Sequence, residues 1–91
     1  MLFSELKDKE VVCLGSGARL GLIDDVEFDD ATARIKRFFI FGRSELFGFG
    51  GRSEDIVVDW EEVDTVGSDI ILVRSAKEAN VKPRKKPLLN I

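Results

Sequence analysis

Two stretches constrain this chain more than anything else in it: GARLGLIDDVEFDDATARIKRFFIF at residues 17–41 and DIVVDWEEVDTVGSDIILV at residues 55–73. Each strings short β-branched and aromatic runs between Gly, Asp and Ser turns, the pattern of a small all-β domain. Such an architecture commits most large apolar side chains to a core and leaves few residues over for a reaction centre. The chain contains no His, no Tyr and a single Cys. Its function is therefore expected from surfaces.

Read in order, Ser4 is the expected N-cap of a short helical turn over residues 5–8. A first strand over residues 10–14 ends at the Gly15-Ser16-Gly17 turn. A second strand runs over residues 20–29, with Ile23, Val26 and Phe28 directed to the core. The step from 23 to 26 is out of phase. A β-bulge at Asp24-Asp25 would restore it and bend the strand into a barrel corner. After a polar connection at residues 29–33, the third strand covers residues 34–41. Ile35, Phe38 and Ile40 share one of its faces after a small phase slip, leaving Phe39 and Phe41 on the other. Apolar side chains on both faces imply an outer cover: the tail, a loop or a second copy of the chain.

Residues 42–53, GRSELFGFGGRS, read as a long hairpin connection carrying Phe47 and Phe49. Ile56, Val58 and Trp60 alternate along a further strand, with Trp60 expected to plug one end of the barrel. Residues 61–67 read as a tight corner leading to a closing strand at residues 70–73. One helical turn is expected at residues 75–80. Pro83 and Pro87 then disfavour regular structure. The division is a β domain over residues 1–73 and a flexible basic tail over residues 74–91.

Charge follows that division. Residues 1–73 hold 16 acidic and 8 basic side chains, a net −8, and residues 74–91 carry a net +5. Cys13, alone among apolar neighbours, is expected to act as a small hydrophobe and cannot form an intramolecular disulfide. The longest apolar run, residues 38–41, is only strand-sized, and the N-terminal residues lack the pattern of a signal peptide. The expectation is a soluble, cytoplasmic protein.

The acidic set Asp24, Asp25, Glu27, Asp29 and Asp30 invites a divalent-metal reading. On a strand, however, alternate carboxylates stand roughly 6–7 Å apart, too far for joint coordination of one ion. They read as solvated edge and corner residues, and neither a metal nor a cofactor is expected. Gly48-Phe49-Gly50-Gly51 lacks the helix and the Lys-Ser/Thr ending of a phosphate loop. Lys82, Arg84, Lys85 and Lys86 could contact nucleic-acid phosphates, although the acidic body would repel a polyanion laid across it.

Taken together, Ser4-Glu5-Leu6, Lys9-Glu10-Val11-Val12, Gly21-x-Ile23-x-Asp25-Val26-x-Phe28-Asp29 and Ile35 resemble the PRC-barrel family. Asp55-Ile56-Val57-Val58, Trp60, Val63, Val66-Gly67 and Asp69-Ile70-Ile71-Leu72-Val73 continue the resemblance, which covers residues 1–73. More narrowly, it resembles the stand-alone, sporulation-associated YlmC/YmxH group. The chain departs from that group at Asp59, where Pro is usual, and in the long Gly-rich connection; the basic tail lies outside the pattern. The resemblance implies a six-stranded, partly open β-barrel acting as a binding or assembly module without catalytic residues. The expected function is a non-enzymatic, self-associating interaction module, most simply a homodimer that also docks another protein. Phe39, Phe41, Phe47 and Phe49 are its expected contact residues. The alternative is an RNA- or ribosome-associated factor using Lys82, Arg84, Lys85 and Lys86.

Overall fold

The computed structural model describes residues 1–42 and 54–79. Within them a short helix, α1 (Phe3–Lys7), precedes β1 (Glu10–Cys13), β2 (Arg19–Leu22), β3 (Asp25–Asp29) and β4 (Arg34–Ile40). Then follow β5 (Asp55–Asp59), a 3-10 turn (Trp60–Glu62), β6 (Val63–Val66), β7 (Ile70–Val73) and β8 (Lys77–Ala79). The fold is mostly β, in two four-stranded sheets ordered β2-β1-β7-β6 and β3-β4-β5-β8, and neither closes into a barrel.

The two sheets meet over one core. Leu6, Val11, Ile23, Phe38, Ile40, Val58, Ile71 and Val73 form a single buried cluster with contributions from α1 and both sheets. Phe38 is its largest fully buried side chain. It meets Trp60 edge-on, at 6.4 Å between ring centroids and 76° between planes. Trp60 thus packs against the core from the end of β5, although the two sheets form no closed barrel for it to plug. Burying each such side chain contributes roughly 1.5–3 kcal/mol.

The corner expected near Asp24 exists, but it is sharper than a bulge. The chain leaves the first sheet at Leu22 and enters the second at Asp25, with Ile23 buried between them. Asp24 fastens this crossing to β4 from both ends: its N–H donates to the Phe39 carbonyl at 2.8 Å, and its Oδ2 accepts from the Phe41 N–H at 2.7 Å. The register shift lies further on, between Glu27 and Phe28, where Glu27 pairs with Arg37 and Phe28 with Ile35. Lys36 is the extra residue, and this is the phase slip expected in β4. On the hairpin side of that shift Phe28 is outside the core and 55% exposed, contrary to expectation.

Further differences concern the strand count. Eight strands stand among the described residues where six were expected. The expected second strand splits in two. Residues 61–67 hold the 3-10 turn and β6, which pairs antiparallel with β7. The helical turn expected from residue 75 is strand instead: β8 pairs with β5 through Asp55–Ala79, Ile56–Glu78 and Val57–Lys77. The open edge of β5 needs main-chain partners, and that need outweighs the weak helical preference of Lys-Glu-Ala. Sequence pattern gave no sign that β1 and β7 run parallel. Nor does Ser4 cap α1, because the N-cap is Leu2 and no side chain bonds there.

Candidate functional site

Two outward sheet faces carry more apolar surface than a solvated sheet requires. On the second sheet, Phe38 and Val58 point to the core, so their neighbours Phe39 and Val57, which pair across the strands, point away from it. Neither belongs to the set of half-buried residues packed on the core. Phe39 stacks on Phe41, with ring centroids 6.3 Å apart and planes inclined by 19°. Such a pair contributes roughly 0.5–1.5 kcal/mol beyond its area. Phe39, Val57 and Ala79 floor an open groove of about 530 Å³.

The wall of that groove is a row of charges set by the same register. Arg37 donates from Nη1 to Glu27 Oε1 at 2.6 Å and from Nε to Asp59 Oδ1 at 3.2 Å. Lys77 Nζ lies 3.8 Å from the other Asp59 oxygen. The hydrogen bond to Glu27, then that to Asp59, raises the Arg37 pKa above its ordinary value. Exposed ion pairs of this kind contribute about 0–1 kcal/mol each, so the row fixes side-chain positions more than it stabilises the fold. Glu78 also lines the groove, and Asp25 pairs with Phe39 in register. Acidic groups outnumber basic ones here.

The outward face of the first sheet escaped the sequence reading. Val11 and Ile71 are buried, so Glu10, Val12, Ile70 and Leu72 point outward. Cross-strand pairing adds Leu22 beside Glu10 and Arg19 beside Val12. Leu22 is 49% and Ile70 38% exposed, and Leu14, one residue past β1, is 47% exposed. Arg19 and Glu10 form an ion pair across this face at 2.6 Å. That hydrogen bond holds the Glu10 carboxyl below its ordinary value and raises Arg19. The available signal was the unbroken apolar character of Val11-Val12-Cys13-Leu14 and Ile70-Ile71-Leu72-Val73. A strand with one wet face alternates, and these do not.

The remaining candidates are placed as follows. Besides Asp24, three acidic residues around the corner have local work: Asp25 accepts from the Val26 N–H, Asp29 from the Ala31 N–H, and Glu27 from Arg37. Among the described residues no group of three or more such side chains is placed to hold a metal ion. Cys13 packs against the core as expected, only half-buried, and its pKa is lowered chiefly by a hydrogen bond with the Ser16 side chain. Phe47, Phe49, Lys82, Arg84, Lys85 and Lys86 lie outside the described residues. No helix among the described residues is long and apolar enough to cross a membrane.

A small two-sheet β domain with worked outer faces and a filled interior is the class that the geometry defines. The chain belongs to the PRC-barrel domain family, whose pattern it matches over residues 1–80. It is 35% identical over 71 residues to the probable sporulation protein YlmC of Bacillus subtilis strain 168, covering 78% of this chain and 88% of that one. It is 31% identical over 88 residues to the uncharacterized protein YmxH of the same organism, covering 94% and 100% respectively. An uncharacterized protein of Clostridium acetobutylicum is 32% identical over 68 residues, 75% of this chain and 77% of that one.

Proposed function

We propose that this chain is a non-enzymatic, cytoplasmic protein-interaction and assembly module that docks a partner protein on the outer face of β4 and β5. The observation that carries the reading is the stacked Phe39–Phe41 pair, held off the core beside an open groove. Aromatic side chains in such a position are typical anchors, because each removes a large apolar area from water when a partner covers it. The excess of Asp25, Glu27, Asp59 and Glu78 over Arg37 and Lys77 suits a partner whose contacting segment is cationic. The name of the YlmC relative supports a sporulation-linked role.

The test is a Phe39→Ser/Phe41→Ser double variant compared with the wild-type chain by affinity purification from native cells. The expected result is loss of a specific co-purifying protein from a chain that still folds, its stability lowered by only the roughly 0.5–1.5 kcal/mol of the ring–ring contact, because neither ring belongs to the core. Identical protein sets from the two baits would refute the reading.

A further inference from the structure

We infer that the outward face of the β2-β1-β7-β6 sheet is the surface on which a second copy of this chain docks. The inference uses a face opposite in kind to the Phe39 groove and stands without it. Its apolar members are Val12, Leu14, Leu22, Ile70 and Leu72, three of them more than a third exposed. A contiguous outward apolar set of this kind on a 91-residue chain calls for a cover.

Charge selects the occupant. Residues 1–73 carry a net −8, so two copies repel wherever their acidic surfaces meet. The Phe39 groove, with four acidic and two basic side chains around it, would bring that repulsion into a self-contact. The β1–β7 face differs. Its strand residues carry Glu10, Arg19 and Asp64, and each acid is met by a base: Arg19 lies 2.6 Å from Glu10, and Arg74, just past β7, lies 3.4 Å from Asp64. A two-fold interface is self-complementary: whatever patch one copy presents, the other presents too. A patch that is apolar and whose acids are each paired with a base meets that condition. Rotation by 180° can set Arg19 of each copy beside Glu10 of the other, with the Leu and Ile side chains between. A strongly cationic partner finds no net charge here, and a strongly anionic one is repelled by the surrounding body.

Sedimentation velocity on the full chain from micromolar to several hundred micromolar tests this. Wild type is expected to reach a dimer within that range. Arg19→Glu and Glu10→Arg, each made alone, place like charges face to face and should raise the dissociation constant roughly tenfold or more. Mixed in equal amounts, the two variants should recover a 1:1 heterodimer, a result that damage to folding cannot produce. Leu22→Glu should leave a monomer with wild-type circular dichroism, whereas the Phe39→Ser/Phe41→Ser variant should dimerise normally. A wild-type monomer at every concentration would overturn the inference. So would a dimer that survives Leu22→Glu, or one lost on removing Phe39 and Phe41, or a mixture that stays monomeric.

Discussion

Asp55 is the buried charged residue of the described chain, with 4% of its surface exposed. Its Oδ1 accepts the Gly42 N–H at 2.6 Å, tying the end of β4 to the start of β5. Asp55→Ala removes this acceptor from a main-chain donor in a dry setting. Such a loss costs about 1–3 kcal/mol, whereas Asp55→Asn keeps an oxygen in place and should cost less. In a domain of this size each kcal/mol lowers the melting temperature by roughly 4–8 °C. Thermal unfolding of the two variants should therefore separate them clearly, with Asp55→Ala melting lower. Equal melting temperatures for Asp55→Ala and wild type would show that the bond carries no net stability.

Among the elements, β2 depends on one glycine. Gly21 has φ +115°, and a Cβ at that position would stand 3.3 Å from Ile40 Cγ2 on the opposite sheet. It lies at the register shift where β1 passes from Val11–Gly21 pairing to Val12–Arg19 pairing. Gly21→Ala meets both a backbone conformation that side chains disfavour and a tight contact. The expected loss is about 1–3 kcal/mol in denaturant unfolding, against a small effect for Gly15→Ala, which has open space and no positive φ. The same region shows what was legible in the sequence. The phase break between Ile23 and Val26 announced the corner, because apolar spacing reports which side chains share a face. It did not reveal that the chain changes sheets there, since periodicity within a strand carries no information about its neighbours. Strand β8 and the parallel β1–β7 pair stayed hidden for the same reason. They are set by which edges lack partners after folding. Phe39 and Phe41 could be read as outward because Phe38 and Ile40 had to be inward. Leu22, Val12 and Ile70 could not, because their runs are apolar at every position and alternation has nothing to report.

At the scale of the whole molecule, two opposing electrostatic effects decide the response to acid. The body carries a net −8 over residues 1–73, so proton uptake between neutrality and the isoelectric point near 4.9 relieves self-repulsion. Against this stands Glu10, whose carboxyl is held below its ordinary value of 4.5 chiefly by its hydrogen bond with Arg19. A carboxylate with a depressed folded pKa stabilises the fold fully above its unfolded pKa and loses that contribution as pH falls through the folded one. Lys9 and Asp69, the other charged side chains where β1 meets β7, do not reverse this sign: the Lys9 ammonium donates to the Ser68 carbonyl, and the Glu10 N–H meets the Asp69 main-chain oxygen. The melting temperature should therefore hold or rise slightly from about pH 8 to about pH 5, then fall as Glu10 is protonated. Glu10→Gln, which cannot titrate, should flatten the acid limb and leave the neutral limb nearly parallel to wild type. An acid limb of unchanged slope in that variant would mean that the Glu10–Arg19 pair is not made in solution, and with it would go the charge argument for pairing two copies through β1 and β7.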